Sequence, residues 1–354
     1  MQNAAKVYII VFIGGNMATI WDVAKLAGVS KSTVSRVINN GSTSPEAKKS
    51  VLDAIKKLIY QPSCFAQSIR TQKSMTIALM IPDSSNLFYT EIFKAVEEVA
   101  YSQRYMVTLC DTRNSPDVEI KYAHKLLARK IDGLIYATYK MDAKTQDHFV
   151  TLSETLPMVF IDYAYKNYEN ISMVAAEGYN SSREAVKFLY NKGKRKIAYV
   201  NFPRDVQVTY LRYEGYMKGL EDCGLAFSSD LVYFPSKKEE TFGRELGFIA
   251  AKELLKKNSE IDAIMTAADP LAFGVMKYLK QAGINIPDDI SIIGFDNNEI
   301  CEVIEPMLTT IAQPIRNIGT ISAKILLNKI NGVPNEHERV FFSSELIERG
   351  STPK

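Results

Sequence analysis

At 354 residues the chain is long enough for two or three domains with sizeable cores. Its 46% hydrophobic and 23% charged content excludes a disordered or fibrous chain. The net charge of +3 divides unevenly: residues 17–73 hold nine Lys/Arg against three Asp/Glu, a local +6, and the remainder beyond Lys6 sums to −4. A basic head on a mildly acidic body implies that the head alone meets a polyanion. The cysteines Cys64, Cys110, Cys223 and Cys301 lie far apart with no C-x-x-C pair. Neither a zinc site nor a disulfide framework is expected, which fits reduced thiols in a cytosol. His124, His148 and His337 are isolated and receive no chemistry.

Residues 1–16 contain one apolar run, Val7 to Ile13, too short to span a bilayer and without a cleavage pattern after it. They read as a translated leader or an extension outside the native structure. Gly14-Gly15-Asn16 can be encoded by a purine-rich stretch resembling a ribosome-binding site, with Met17 as the start.

From Thr19 to Asn40 the pattern is that of two short helices. Thr19 can cap the first, with Asp22 three residues on, an arrangement akin to a capping box. Ile20, Val23, Ala24 and Ala27 give one apolar face, and Gly28 stops the helix. Ser30 can cap a second helix with Val34, Val37 and Ile38 inward. That leaves Lys31, Ser32, Thr33, Ser35, Arg36 and Asn39 outward. Cations, short hydroxyls and an amide suit phosphate oxygens and base edges, so the pair reads as a helix-turn-helix. A solvated helical hairpin is the bland alternative. Ser44 and Pro45 start a third helix with Ala47, Val51, Ile55 and Leu58 inward, and the head closes at residue 62. Residues 63–74 are a linker by position.

From Met75 onward strands and helices alternate. Met75 to Pro82 is a continuous apolar run, as in a strand buried on both faces. A helix over Phe88 to Gln103 follows, then strands at 107–110, 133–137 and 158–161. A second set begins near Ser172, with strands at 197–200, 231–234, 263–265 and 290–295. Two parallel α/β halves are expected.

The run T-I-W-D-V-A-K-L-A-G-V-S-K-S-T-V-S-R-V-I-N, then Y-Q-P-S-C-F-A-Q-S-I-R at Tyr60 to Arg70, I-G-F-D at Ile293 to Asp296, and L-T-T-I with Gln313-Pro314 downstream together resemble the lactose/galactose-repressor (LacI/GalR) family of bacterial transcription regulators. The resemblance runs from about Met17 to the C-terminus. It implies an α/β fold with a three-helix helix-turn-helix head at 17–62, a hinge at 63–74 and a two-lobed periplasmic-binding-protein-like core at 75–350. Lobe 1 is expected at about 75–174 and 311–333, lobe 2 at about 175–310 and 334–350. It also implies a homodimer, with pairing into tetramers left open, on palindromic double-stranded operator DNA in the cytoplasm. Thr19 joins the outward residues of the second helix as a DNA contact by the same resemblance. The hinge would become helical on the operator and place Ile69 as a minor-groove wedge, with Arg70 beside it for phosphate. Ile69 stands where the family has leucine, and its β-branch is stiffer.

Ligands of open α/β sheets gather at carboxyl ends of strands. Asp162 and Asp296 end two expected strands, Phe88 follows the first, Arg212 opens a helix, and Phe242 precedes another. The resemblance implies that these five hold a sugar or related effector, with carboxylates and Arg bonding hydroxyls and rings stacking on C–H faces. As alternatives, Asp296 is a helix cap, Asp162 a turn residue and the phenylalanines plain packing. Asp269 reads as a cap of its own helix. Ala268 stands where the family often has asparagine, Glu177 where aspartate is common, and Lys194 where histidine is common. The expected activity is repression of a carbohydrate-use operon. A nucleobase or sugar phosphate acting as co-repressor is the second reading, and a pure small-molecule binding protein the third. No nucleotide-loop, nucleophile-elbow or zinc-protease motif is present; no enzyme activity, cofactor, metal or membrane partner is expected.

Overall fold

The computed structural model describes residues 18–39, 41–60, 73–138, 143–162, 171–204, 206, 209–235, 243–333 and 338–354. The chain forms two compact units, Met1–Ser74 and Met75–Lys354.

The first unit contains α1 (Ile20–Ala27), α2 (Lys31–Ile38) and α3 (Pro45–Leu58). Each start is set by its own side chain. The Asp22 carboxylate accepts from both the backbone N and the hydroxyl of Thr19, at 2.8 and 2.7 Å, completing a capping box. Those two bonds from Thr19 hold the Asp22 carboxyl below its ordinary range. Ser30 and Ser44 accept from the N–H of Thr33 and Ala47, each at 3.2 Å. Gly28 stops α1 at φ +67°, a conformation that glycine adopts without strain. Among the described residues, six buried side chains make the core: Val23, Ala24, Val34, Val37, Val51 and Ala54. With so small a core, caps matter. Thr19→Ala is expected to cost about 0.5–2 kcal/mol of α1 stability, read as lost hydrogen-exchange protection of its amides in the full chain.

Among the described residues, the second unit holds two six-stranded sheets. The first contains β1 (Thr76–Ile81), β2 (Met106–Asp111), β3 (Gly133–Ala137), β4 (Met158–Ile161), β5 (Met173–Ala176) and β11 (Arg339–Phe342), in the order β11-β5-β4-β3-β1-β2. The second contains β6 (Ile197–Val200), β7 (Val232–Tyr233), β8 (Ala263–Thr266), β9 (Ser291–Asp296), β10 (Thr309–Ala312) and β12 (Glu345–Ile347), in the order β12-β10-β9-β8-β6-β7. Every pairing is parallel except β10 with β12. Helices cover the sheets: α4 (Leu87–Ser102), α5 (Pro116–Ala128), α6 (Ala143–Ser153), α7 (Tyr179–Asn191), α8 (Tyr210–Asp222), α9 (Gly243–Lys257), α10 (Asp269–Ala282) and α11 (Ile315–Ile330). Burial on both faces explains why β3, β4 and β6 read as unbroken apolar runs and why β8 and β9 are apolar between their polar ends.

Two lobe boundaries differ from those expected from sequence. β5 lies in the first sheet, with Val174 and Met173 packed in the two cores on either face of that sheet, so the first segment of lobe 1 extends to Ala176. Residues 339–342, expected in lobe 2, form β11 and pair in parallel with β5, while residues 345–347 pair with the second sheet and Arg349 and Ser351 bond to it, as expected for lobe 2. β11 is an edge strand with alternating exposure, so no buried run marked its lobe. Its place is set by backbone pairing. The chain therefore passes between lobes at 177–178, 313–314 and 343–344, each a short connection. The first and third are tied by Glu177 N donating to Phe342 O at 2.8 Å. Among the described residues, no helix is long and apolar enough to cross a membrane.

Candidate functional site

In the first unit, α2 turns Lys31, Ser32 and Arg36 outward, with Thr33 and Ser35 half-buried. Several polar side chains there are engaged locally. The Ser32 and Thr33 hydroxyls lie 2.7 and 2.9 Å from Ser30 Oγ. Asn39 lies one residue beyond the helix, and its amide donates to Ser35 O at 2.6 Å. Thr19 is bonded to Asp22. Lys31 Nζ sits 4.9 Å from the ring centre of Trp21, which is 64% exposed on α1. That ring flanks the start of α2 and was not singled out from sequence; an exposed Trp is its only signal. Ile69, Arg70 and Phe242 lie outside the described residues.

In the second unit, Phe88, Asp162, Arg212 and Asp296 line one pocket together with Asn86, Tyr89, Phe202, Thr209, Ala268 and Gln313. In this arrangement its cavity is about 20 Å³, room for about one water, and about 300 Å³ only when the space open to solvent is counted. The carboxyl ends of β4 and β9 supply the two aspartates, the first turns of α4 and α8 supply Phe88 and Arg212, and the second crossover supplies Gln313. Elements of both lobes thus meet at one point. Neither aspartate has ordinary strand dihedrals: φ is +54° at Asp162 and +121° at Asp296. Such values are strained in a residue with a Cβ and mark sites held by their surroundings.

Arg212 is 6% exposed and fixed on several sides. Its Nη1 donates to Ala267 O at 2.6 Å and lies 3.7 Å from Asp296 Oδ1. The guanidinium carbon stands 3.8 Å from the Phe295 ring centre. Gly178, in the first crossover, makes room for it: a Cβ there would come 2.9 Å from Arg212 Cγ. Asp296, 4% exposed, accepts from Gln313 Nε2 at 2.6 Å. Burial pushes the Asp296 carboxyl well above the ordinary range. Arg212 opposes that shift, the Asp269 charge adds to it, the Gln313 bond opposes it, and the Asp162 charge adds again. Burial also raises Asp162, against Arg212 and the Ala176 N–H.

Asp296 is not a helix cap. The short 3₁₀ helix Glu299–Glu302 is capped by Asn298, whose side chain accepts from Ile300 N at 3.1 Å. Nor does Asp269 cap α10, whose first turn has no side-chain cap bond. It is fully buried and accepts from Thr310 Oγ1 at 2.6 Å, Asn298 N at 3.0 Å and Cys301 Sγ at 3.1 Å. Asp269 thereby pins the loop after β9, which carries Asp296, to β10. Gly294 permits this, since a Cβ there would lie 2.3 Å from Asp269 Oδ1. Glu177 is engaged as a cap of α7, accepting from Asn180 N at 2.8 Å and Ser181 N at 3.4 Å. Lys194 is buried away from the pocket lining. Asn86, Tyr89, Phe202, Thr209 and Gln313 were missed as lining residues. Phe202 just after β6 obeys the carboxyl-end rule that found the others.

Residues 19–63 match the family described as bacterial regulatory proteins, lacI family, and residues 186–352 a periplasmic binding protein-like domain. The chain is 36% identical over 340 residues to a ribose operon repressor of Halalkalibacterium halodurans, covering 95% of this chain and 97% of that one. It superposes on the lac repressor dimer bound to operator and an anti-inducer with a TM-score of 0.85 and 25% identity, covering 95% of this chain and 99% of that one. A regulator from Enterococcus faecium with bound ribose gives a TM-score of 0.67 and 29% identity, over 78% of this chain and 98% of that one. A basic helix-turn-helix unit, a two-lobed body with a polar pocket and these likenesses agree: the chain belongs to the lacI family of bacterial regulatory proteins and is a DNA-binding transcriptional regulator.

Proposed function

We propose that this regulator is a homodimeric repressor of carbohydrate-use genes, acting in the cytoplasm on a two-fold symmetric operator and released by a sugar held between its lobes. The observation that carries the effector reading is the convergence of Phe88, Asp162, Arg212 and Asp296, from both lobes, on one buried pocket. Carboxylates, a guanidinium and aromatic rings suit a polyhydroxy ligand. A relative named as a ribose operon repressor and a solved relative holding ribose favour a sugar over a nucleobase. A ligand touching both lobes favours one lobe arrangement, and the three short crossovers let the lobes move as bodies. Differential affinity for two arrangements then shifts the population competent for DNA.

On DNA, the exposed Arg36 is assigned to base edges, Lys31 and Ser32 to phosphates, and Thr19, Thr33, Ser35 and Asn39 to the surrounding contact surface. Ile69 and Arg70 are assigned to the minor groove and its phosphates. Phe242 is assigned to the effector's apolar face. Binding-site selection with the full chain tests the DNA half. A palindromic site is expected, with affinity falling steeply between about 50 and 200 mM salt because a basic head acts twice. A single half-site bound as tightly as the palindrome, or a flat salt response, would contradict it. Arg36→Ala is expected to relax preference at one base pair per half-site, at about 1–3 kcal/mol for each lost bidentate pair. An unchanged selected motif would make Arg36 a phosphate contact instead.

A further inference from the structure

Asp296 and Asn297 stand at φ +121° and +60°, two neighbouring residues with side chains in backbone that favours glycine. Such backbone persists only where the surroundings over-determine it. On one side, Gln313 Nε2 donates to Asp296 Oδ1, and Asp269 accepts from Asn298 N. On another, Arg349 grips the same loop without lining the pocket. Its Nη2 donates to Asn297 Oδ1 and to Glu302 Oε1, each at 2.8 Å, and its Nη1 donates to Leu308 O at 2.9 Å. One planar fork thus ties two points of the loop after β9 to the residue just before β10. The tie to Glu302 is the weak one, since that side chain is 67% exposed against 10% for Arg349. The backbone that carries the fork is itself fixed. Arg349 N donates to Thr309 Oγ1 at 2.8 Å. Ser351, fully buried, donates from Oγ to Ile292 O at 2.7 Å and from N to Met307 O at 2.9 Å. The guanidinium therefore stands on a base stitched to β9 and to the start of β10.

We propose that Arg349 is a positioning residue for effector binding: through Asn297 it holds the loop that sets the direction of the Asp296 carboxyl, and it does so without touching the ligand. The inference rests on the effector reading above. Released from Arg349, Asn297 can leave its positive φ, and the peptide that it shares with Asp296 turns with it. A binding group displaced by about 1 Å loses much of its worth, because its bonds depend on distance and direction together. Lysine at this position keeps the charge, but its ammonium is a single point and lacks the fork that reaches Asn297 and Leu308 at once. Effector affinity thereby comes to depend on a residue 52 positions beyond Asn297, near the end of the chain.

The test begins with calorimetry of the full chain against neutral sugars, D-ribose and D-glucose among them, and the tightest binder becomes the probe. Arg349→Lys is expected to weaken the probe at least about tenfold, while ligand-free operator affinity stays within about twofold of the wild type. A weaker probe alone does not separate positioning from general damage to the lobe, so the same measurement is made on Asp296→Asn and on the double variant. If Arg349 acts through Asp296 the two losses are not additive, and the double variant binds the probe within about threefold of Asp296→Asn. Unchanged affinity in Arg349→Lys, or two losses that multiply in the double variant, overturns the inference and leaves the pocket as the effector site. Should Arg349→Lys fail to fold, Asn297→Gly takes its place in the same cycle, since it removes the acceptor while glycine keeps the φ without strain. If no sugar binds the wild type, the effector reading falls and the inference with it.

Discussion

Asp296→Asn is expected to weaken effector binding about ten- to a hundredfold while leaving the ligand-free second unit at least as stable as the wild type. The substitution keeps the shape and an oxygen able to accept from Gln313 Nε2. It removes an ionisable group whose charged form burial and the charges of Asp269 and Asp162 disfavour, against the attraction of Arg212. The sign follows from linkage. A carboxyl raised above its unfolded value binds a proton in the folded chain while the unfolded chain has released it. Between the ordinary carboxylate range and neutrality, roughly pH 5–7, that group's contribution to stability falls as pH rises. The wild type should therefore lose more stability than Asp296→Asn on going from pH 5 to pH 7, with the raised Asp269 carboxyl adding the same sign to both. Denaturant midpoints at the two pH values give the comparison. A variant less stable than the wild type at both, with full effector affinity by calorimetry, would make Asp296 a structural residue.

The second large effect is expected at Asp269, where the loss is of stability rather than affinity. Asp269→Ala leaves Thr310 Oγ1, Asn298 N and Cys301 Sγ without their buried acceptor. A lost buried partner typically costs about 1–3 kcal/mol for each group left unmatched, so about 2–5 kcal/mol is expected after relaxation. The loop after β9 would detach from β10, and Asp296 would lose the support that holds it at positive φ. Denaturant unfolding of the full chain should show an earlier transition for the second unit. A shift below about 0.5 kcal/mol, the scale of an ordinary surface change, would mean that the network is not stabilising.

What was legible in the sequence was local. Thr19 and Asp22 lie three residues apart, so their capping box could be read before any fold was known. Val34 and Val37 were assigned inward from helical spacing, and both are buried. The strand ends carrying Asp162 and Asp296 stood out as polar residues closing apolar runs, and they line the pocket with Phe88 and Arg212. What failed depended on distant partners. Asp269 was read as a cap because it opens a helix, yet its bonds reach 29 and 41 residues away, to Asn298 and Thr310. The lobe of β11 is decided by pairing with Met173–Ala176, and an alternating edge strand carries no record of its neighbour. Gln313 was noticed within a motif, but only the bond to Asp296 gives it a place in the site.

The central claim is that the inter-lobe pocket and DNA binding are one linked system, and operator affinity with and without ligand measures this directly. Fluorescence anisotropy on the full chain, with the selected palindrome and the best-binding neutral sugar at saturation, is the measurement. Coupling of about 1–3 kcal/mol is typical of such regulators, so saturating sugar should weaken operator binding about 5- to 150-fold. At the same concentration Asp296→Asn should respond less. Operator affinity unchanged by a sugar that calorimetry shows to be bound would contradict the account.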